Sequence, residues 1–316
     1  MRSSAGRLMR VTVCGRGSLW LQQLLVTLGM RGYKIKDKNA VPCPARIQLK
    51  SVSRKGGICM DENKIAQLQE IIDSSNNIVF FGGAGVSTES GIPDFRSQDG
   101  LYKMKYKYPP EEIVSHTFIT YKTDEFFEFY KDKMLAPDAK PNAAHKKLAE
   151  LEAAGKLKAV ITQNIDGLHQ AAGSKEVLEL HGSVLRNYCT KCGKKFSSTE
   201  EDVNAGMKYV LAADGVPKCD NVIDGKVCGG VVRPDVVLYE EGLDNYVISR
   251  AIDHISKADM LIIGGTSLVV YPAAGFVNYF GGKHLAVLNM AATTSDSQAD
   301  IIIRDKIGEV LSQIHV

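Results

Sequence analysis

Short apolar runs recur along the chain, each stopped by small or polar residues. The runs at 78–81 (Ile-Val-Phe-Phe), 159–162 (Ala-Val-Ile-Thr), 177–180 (Val-Leu-Glu-Leu), 260–263 (Met-Leu-Ile-Ile) and 285–288 (Leu-Ala-Val-Leu) read as strands buried in a parallel sheet. Between them the period changes. Ile65, Leu68, Ile71 and Ile72 fall at helical spacing, which predicts an amphipathic helix over 61–74 feeding the first strand. The aromatic-rich segment 118–130 reads as helical with its rings in the core. Pro141 stands near the start of a further helix, in which His145 lies amid helix formers and reads as structural. Strands interleaved with helices predict an α/β fold built on a Rossmann-like parallel sheet.

Each run gives way to small or polar residues. Gly82-Gly83-Ala84-Gly85 comes after the first, Gln163-Asn164-Ile165-Asp166 after the second, His181-Gly182-Ser183 after the third, Gly265-Thr266-Ser267 after the fourth and Asn289 after the fifth. Ligands of open parallel sheets bind just beyond the carboxyl ends of the strands, so this regularity points to one site. Small residues at 82–85 let backbone N–H groups approach a diphosphate, and a helix opening behind them, capped by Ser87 or Thr88, would favour its charge. The dinucleotide pattern G-x-G-x-x-G is incomplete, because its third glycine position is Thr88. A plain glycine turn is the alternative. The continuation, Gly91-Ile92-Pro93-Asp94-Phe95-Arg96-Ser97, is something a phosphate loop does not need.

Charge sets the amino terminus apart. Residues 1–59 hold twelve of the 39 Lys and Arg but one of the 36 acids, leaving 27 bases and 35 acids on residues 60–316. An acidic body argues against a general nucleic-acid binder and suits a cationic partner such as a lysine-rich peptide; ordinary solubility is the plainer reading. Residues 18–30 are apolar but interrupted, and too short to span a bilayer. The basic stretch suits a signal or organelle-targeting segment, but no small-x-small cleavage site is evident. Lys55-Gly56-Gly57 can be encoded AAA GGA GGA, a bacterial ribosome-binding sequence, at a workable distance before Met60. We therefore expect residues 1–59 to be translated upstream sequence and 60–316 the working domain, in the cytoplasm.

Four cysteines of that body carry metal chemistry. Cys189-x-x-Cys192 forms one knuckle, and Cys219 and Cys228 come later with eight residues between them. Four thiolates suit a closed, tetrahedral and therefore structural zinc site. Asp224-Gly225 is a hairpin-turn pair that returns the chain to the metal. Free thiols or a disulfide are the alternative.

The motifs Gly83-Ala84-Gly85, Gly91-Ile92-Pro93-Asp94-Phe95-Arg96, Thr162-Gln163-Asn164-Ile165-Asp166, Leu180-His181-Gly182 and Gly265-Thr266-Ser267-Leu268 resemble those of the sirtuins, the NAD-dependent protein-lysine deacylases. The resemblance spans about residues 60–316 and looks most like bacterial members through Val269-Val270-Tyr271-Pro272-Ala273-Ala274. It implies a large Rossmann domain and a smaller helical and zinc-binding domain, inserted at about 98–140 and 186–233, with substrates meeting between them. It implies that the acyl-lysine carbonyl oxygen displaces nicotinamide from the anomeric carbon, that the ribose hydroxyl then takes the acyl group, and that water completes the release of free lysine and 2′-O-acyl-ADP-ribose. His181 would be the general base, with Asn164 and Asp166 ordering the ribose and nicotinamide amide. Phe95 would exclude water, and Arg96 would position the diphosphate or the loop. Gly83, Ala84, Gly85, Thr88, Gln163, Ile165, Gly265, Thr266, Ser267 and Asn289 would line the NAD, and Lys306 and Ile307 would touch adenine. Val237, Leu238 and Tyr239 would hold an extended acyl-lysine peptide by backbone pairing; a plain edge strand is the alternative. This chain has Tyr239-Glu240-Glu241 where family members often carry Phe-Gly-Glu. An ADP-ribosyltransferase and a non-catalytic NAD or acyl-peptide sensor are the competing classes. Acyl preference and oligomeric state are not written in the sequence.

Overall fold

The computed structural model describes residues 62–96, 100–101 and 106–316, so the expectations for residues 1–59 lie outside the described residues. Helix Glu62–Ser74 leads into strand β1 (Ile78–Gly82). The later strands are β2 (Leu157–Thr162), β3 (Val177–Glu179), β4 (Gly182–Cys189), β5 (Lys195–Ser197), β6 (Val222–Ile223), β7 (Lys226–Val227), β8 (Val232–Val236), β9 (Met260–Gly264), β10 (His284–Leu288) and β11 (Ile301–Ile303). The five apolar runs of the sequence are β1, β2, β3, β9 and β10.

The six-stranded sheet has the order β11-β10-β9-β1-β2-β3, and every pairing in it is parallel. The chain steps outward from β1 to β3 on one side and from β9 to β11 on the other. This is the doubly wound arrangement, with its switch point between β1 and β9. Both strands are buried at all five positions because helices cover both faces. Phe80, on one face, packs with Leu68, Ile72, Leu148, Leu151, Val310 and Leu311 of helices Glu62–Ser74, Ala143–Ala153 and Ile307–Leu311. Phe81, on the other, packs with Ala251 and Ile255 of helix Asn245–Lys257 and with Phe276. Alternation along β1 thus feeds two cores from one strand.

A second, antiparallel sheet of order β5-β4-β8 continues directly from β3, and β6 and β7 pair as a hairpin. It runs from Gly182 to Val236, a few residues beyond the 186–233 expected for the smaller domain. Asp224 (φ 49°) and Gly225 (φ 76°) form the hairpin turn between β6 and β7, as their pairing predicts. The aromatic segment forms two helices, His116–Tyr121 and Thr123–Phe129, broken at Lys122, where φ is −132°. Its rings are core: Phe118, Phe126, Phe127, Phe129 and Tyr130 are buried.

The glycine loop departs from expectation. No α-helix opens behind it; two single 3₁₀ turns, Ala84–Val86 and Thr88–Ser90, take its place. Gly91 ends the second in the left-handed region (φ 85°), and Pro93 prevents a helix from resuming. Neither Ser87 nor Thr88 caps a helix: Thr88 bonds back to the Gly85 carbonyl at 3.0 Å, and Ser87 turns inward.

Candidate active site and zinc centre

The floor of the site is made where the loops after β1 and β9 press together. Gly85 N–H donates to the Gly265 carbonyl at 2.8 Å, and Gly83 N–H to that of Gly264 at 3.3 Å. A Cβ on Gly85 would sit 2.8 Å from Gly265 Cα, and one on Gly265, itself at φ 59°, would sit 2.4 Å from Val86 N. Only glycine permits this approach of backbone to backbone. Gln163 braces it from β2, donating through Nε2 to Thr266 Oγ1 at 3.0 Å and through its backbone N–H to the Gly82 carbonyl at 3.0 Å. Thr266 Oγ1 also accepts from Leu268 N–H at 3.2 Å. Ala84, Gly85, Gln163, Ile165 and Ser267 remain half-buried around this floor.

Ser87 knots the second part of the site. Its hydroxyl donates to Asp166 Oδ2 at 2.7 Å and accepts from Asn164 Nδ2 at 3.0 Å. The other carboxylate oxygen of Asp166 accepts Leu168 N–H at 2.9 Å, and Asn164 N–H donates to Thr162 Oγ1 at 3.0 Å. Behind Ser87 stands His145, which is fully buried. Asn142 N–H donates to its Nδ1 at 3.3 Å, so the ring hydrogen sits on Nε2, which faces Ser87 Oγ at 3.5 Å. His169 packs on the same ring, 4.7 Å between centroids. Burial pushes the pKa of His145 down to about 4 and that of His169 down to about 3, so both are neutral at pH 7. From sequence Ser87 reads only as a cap and His145 only as core. The partners that change this, Asn164 and His145, lie 77 and 58 residues from Ser87, beyond the reach of any local pattern.

His181 ends the run that begins with β3. Its Nδ1 lies 2.9 Å from the Gln163 carbonyl. A carbonyl only accepts, so Nδ1 carries the hydrogen and Nε2 keeps its lone pair. Burial lowers the pKa of His181 below the ordinary 6.5, and the Gln163 carbonyl pulls it partly back. The ring is therefore a neutral base with its basic nitrogen facing away from its anchor. His181 also holds the end of β8, its carbonyl accepting Val237 N–H at 2.9 Å.

Beyond β8 the run Val237, Leu238, Tyr239 is already largely paired within the protein. Leu238 N–H donates to Glu241 Oε2 at 2.9 Å and its carbonyl accepts Glu241 N–H at 3.1 Å. Tyr239 N–H donates to the Val114 carbonyl and its own carbonyl accepts His116 N–H, both at 3.0 Å. The backbone of Glu240, Gly242 and Leu243 enters no hydrogen bond among the described residues.

The remaining expected residues spread around this centre. Thr88 and Arg96 are exposed and Phe95 half-buried, and Arg96 N–H turns back on Asp94 Oδ1 at 3.0 Å. Asn289 comes just after β10, its N–H on the Ile303 carbonyl at 3.1 Å and its side chain on the Ala291 carbonyl at 2.8 Å. Lys306 is exposed and pairs with Glu309 at 2.9 Å. Ile307 lies 3% exposed in the core beneath Gly264, so its side chain belongs to the packing.

The four cysteines converge as the sequence predicts. The sulfurs of Cys189, Cys192, Cys219 and Cys228 all lie within 4.8 Å of one another. Cys189 and Cys228 are 3.7 Å apart, Cys192 and Cys219 3.6 Å. Tetrahedral Zn–S bonds of about 2.3 Å put neighbouring sulfurs about 3.8 Å apart, so this donor set fits zinc and leaves no open position. Val232 and Phe196 pack around the cluster.

A doubly wound sheet with glycine loops at its switch point, a neutral histidine at a strand end and a zinc knuckle alongside defines a dinucleotide-dependent enzyme. The comparison with known proteins agrees. Residues 83–272 match the Sir2 family. An NAD-dependent protein deacetylase of Clostridium perfringens is 59% identical over 256 residues, covering 80% of this chain and 99% of that one. The NAD-dependent protein deacetylase of Clostridium acetobutylicum is 56% identical over 255 residues, covering 80% and 98%. A solved Sir2 structure with a deacetylated p53 peptide and 3′-O-acetyl ADP-ribose superposes with a TM-score of 0.69 at 38% identity, covering 79% of this chain and 96% of that one. The chain belongs to the Sir2 family.

Proposed function

We propose that this protein removes acetyl or related acyl groups from protein lysines at the expense of NAD. The observation that carries the reading is the tautomer of His181: its hydrogen is fixed on Nδ1 by the carbonyl of Gln163, the residue that precedes Asn164, which leaves Nε2 as a base at a strand end. The site fits a dinucleotide, because the loops at Gly83–Gly85 and Gly265 carry no side chain between them and half-buried polar groups ring their junction. When bound, NAD supplies an anomeric carbon bearing nicotinamide as leaving group and, on the same ribose, a hydroxyl that takes the acyl group. Asn164 and Asp166, locked by Ser87, orient that ribose. His181 withdraws the proton from its hydroxyl through Nε2. Phe95 shields the reacting carbon from water. Ala84, Gly85, Thr88, Gln163, Ile165, Thr266, Ser267 and Asn289 line the cofactor, and Lys306 touches adenine.

The acyl-lysine peptide lies as an extended strand beyond β8. The backbone of Glu240, Gly242 and Leu243, which enters no hydrogen bond among the described residues, supports pairing there, next to Val237 and Tyr239, more than pairing along the engaged Val237–Tyr239 run itself. The acidic body suits such a cationic substrate. Zinc, held by the four thiolates, ties the small lobe together and takes no part in the chemistry. Four thiolates gathered on one metal site suit a compartment that keeps thiols reduced, which supports a cytoplasmic enzyme. Among the described residues no helix is long and apolar enough to cross a membrane. We keep residues 60–316 as the catalytic domain.

The test is His181→Ala, assayed for deacetylation and for exchange of labelled nicotinamide into NAD. Loss of the base is expected to cost about 10²–10⁴-fold in deacetylation. Exchange needs no ribose-hydroxyl proton transfer and is expected to survive better. Near-normal deacetylation would remove His181 from the mechanism; an equal collapse of both rates would place it earlier.

A further inference from the structure

Glu240 sits where a side chain is least at ease. Its φ of 75° is in the left-handed region, which glycine adopts freely and a residue with a Cβ rarely does. The chain nevertheless places a glutamate there, and its carboxylate is held. Oε2 accepts Thr117 N–H at 2.9 Å and Thr117 Oγ1 at 2.7 Å. Thr117 lies in the first turn of helix His116–Tyr121, whose N-cap, Ser115, serves Phe118 N–H at 3.1 Å and leaves Thr117 N–H to be satisfied from outside. These Thr117 bonds hold the carboxyl of Glu240 below the usual carboxylate range.

The neighbours on both segments are joined in the same way. Tyr239 pairs with Val114 and His116 through its backbone, and Glu241 accepts His116 Nδ1 at 2.8 Å while it binds Arg233 through both guanidinium nitrogens, at 2.9 and 3.1 Å. Residues 114–117 and 239–241 are thus zipped together side by side. Within the zip and just past it, the backbone of Glu240, Gly242 and Leu243 enters no hydrogen bond among the described residues.

We infer that Glu240 is a positioning residue for the acyl-lysine peptide: clasped by Thr117, it fixes the left-handed turn that aims the unpaired run at the incoming strand. The inference rests on the deacylase reading given above. A glycine at this position would adopt the same turn without the clasp; the glutamate adds a fixed direction to it. The run is then ordered before the peptide arrives, which lowers the entropic cost of binding.

Three variants test this. Glu240→Ala removes the carboxylate but keeps the Cβ; Glu240→Gln keeps an acceptor oxygen; Thr117→Val removes the hydroxyl from the other side. Loss of one helix-capping acceptor corresponds to about a fivefold change in an equilibrium constant, so KM for an acetyl-lysine peptide should rise about fivefold in Glu240→Ala. Thr117→Val should raise it in the same direction, and Glu240→Gln should restore it towards the parent value. KM for NAD and kcat at saturating peptide should stay unchanged in all three. Hydrogen exchange of the Thr117 amide, measured without substrates, should accelerate in Glu240→Ala and not in Glu240→Gln. An unchanged peptide KM in folded Glu240→Ala, a matching rise in KM for NAD, or an unaltered Thr117 amide would overturn the inference. The exchange measurement needs no turnover, so a parent protein that fails to deacetylate would sink the functional reading and leave the clasp independently judged.

Discussion

Single residues here owe their chemistry to groups that fix their hydrogens. His181 keeps a lone pair on Nε2 because one carbonyl occupies its other nitrogen, and Ser87 orders Asp166 because its hydroxyl has one hydrogen to give and Asn164 already supplies another. The buried pair His145 and His169 makes a prediction about stability. Both have folded-state pKa values held below the ordinary 6.5 by burial, to about 4 and about 3. The unfolded chain therefore binds protons that the native state refuses as pH falls. The stability these neutral rings allow is complete above pH about 6.5 and is lost progressively towards their folded values. Calorimetric melting between pH 7.5 and about 5, above the carboxylate range, should show a falling Tm. A Tm that stays flat across that window would mean that these rings are not buried as neutral species. None of this is legible locally: Ser87 reads as a cap, and His145 as core, because their partners arrive from distant segments.

Among the elements, the strands were legible and the loop geometry was not. Runs such as Met-Leu-Ile-Ile announce burial on both faces whatever surrounds them, and β9 is buried throughout. The helix expected after Gly85 fails because Ser87 bonds across to Asn164 and Asp166, a demand that only the folded sheet creates. The same loop yields a test. In Gly85→Ala the new methyl would meet Gly265 Cα at 2.8 Å, so two backbones must part. Overpacking of this kind costs about 1–3 kcal/mol, and NAD affinity by calorimetric titration should weaken with Tm. Unchanged affinity and Tm would show that the loops need not touch. In the zinc element, the eight-residue gap between Cys219 and Cys228 was readable because Asp224-Gly225 forms the turn that brings Cys228 back. Cys189→Ser should lose its metal, measured by elemental analysis, and melt lower. A fully folded variant that retains one zinc per chain would contradict the four-thiolate site.

For the whole molecule, topology does the assembling. The order of strands about β1 brings the ends of β1, β2, β9 and β10 to one edge of the sheet, and the second sheet starts directly after His181. The sequence already implied that edge, since polar residues succeed each apolar run. The segment after β8 was less legible: β8 stops at Val236, and the backbone of Tyr239 is drawn into pairing with Val114 and His116, more than 120 residues earlier in the chain. If this cleft moves an acyl group from lysine to the ribose of NAD, one incubation with NAD and an acetyl-lysine peptide, read by mass spectrometry, must show it. We expect the peptide to lose its acetyl group only when NAD is present, with nicotinamide and O-acetyl-ADP-ribose appearing in step. A peptide that instead gains the mass of ADP-ribose, or one that stays unchanged beside intact NAD, would contradict the transfer.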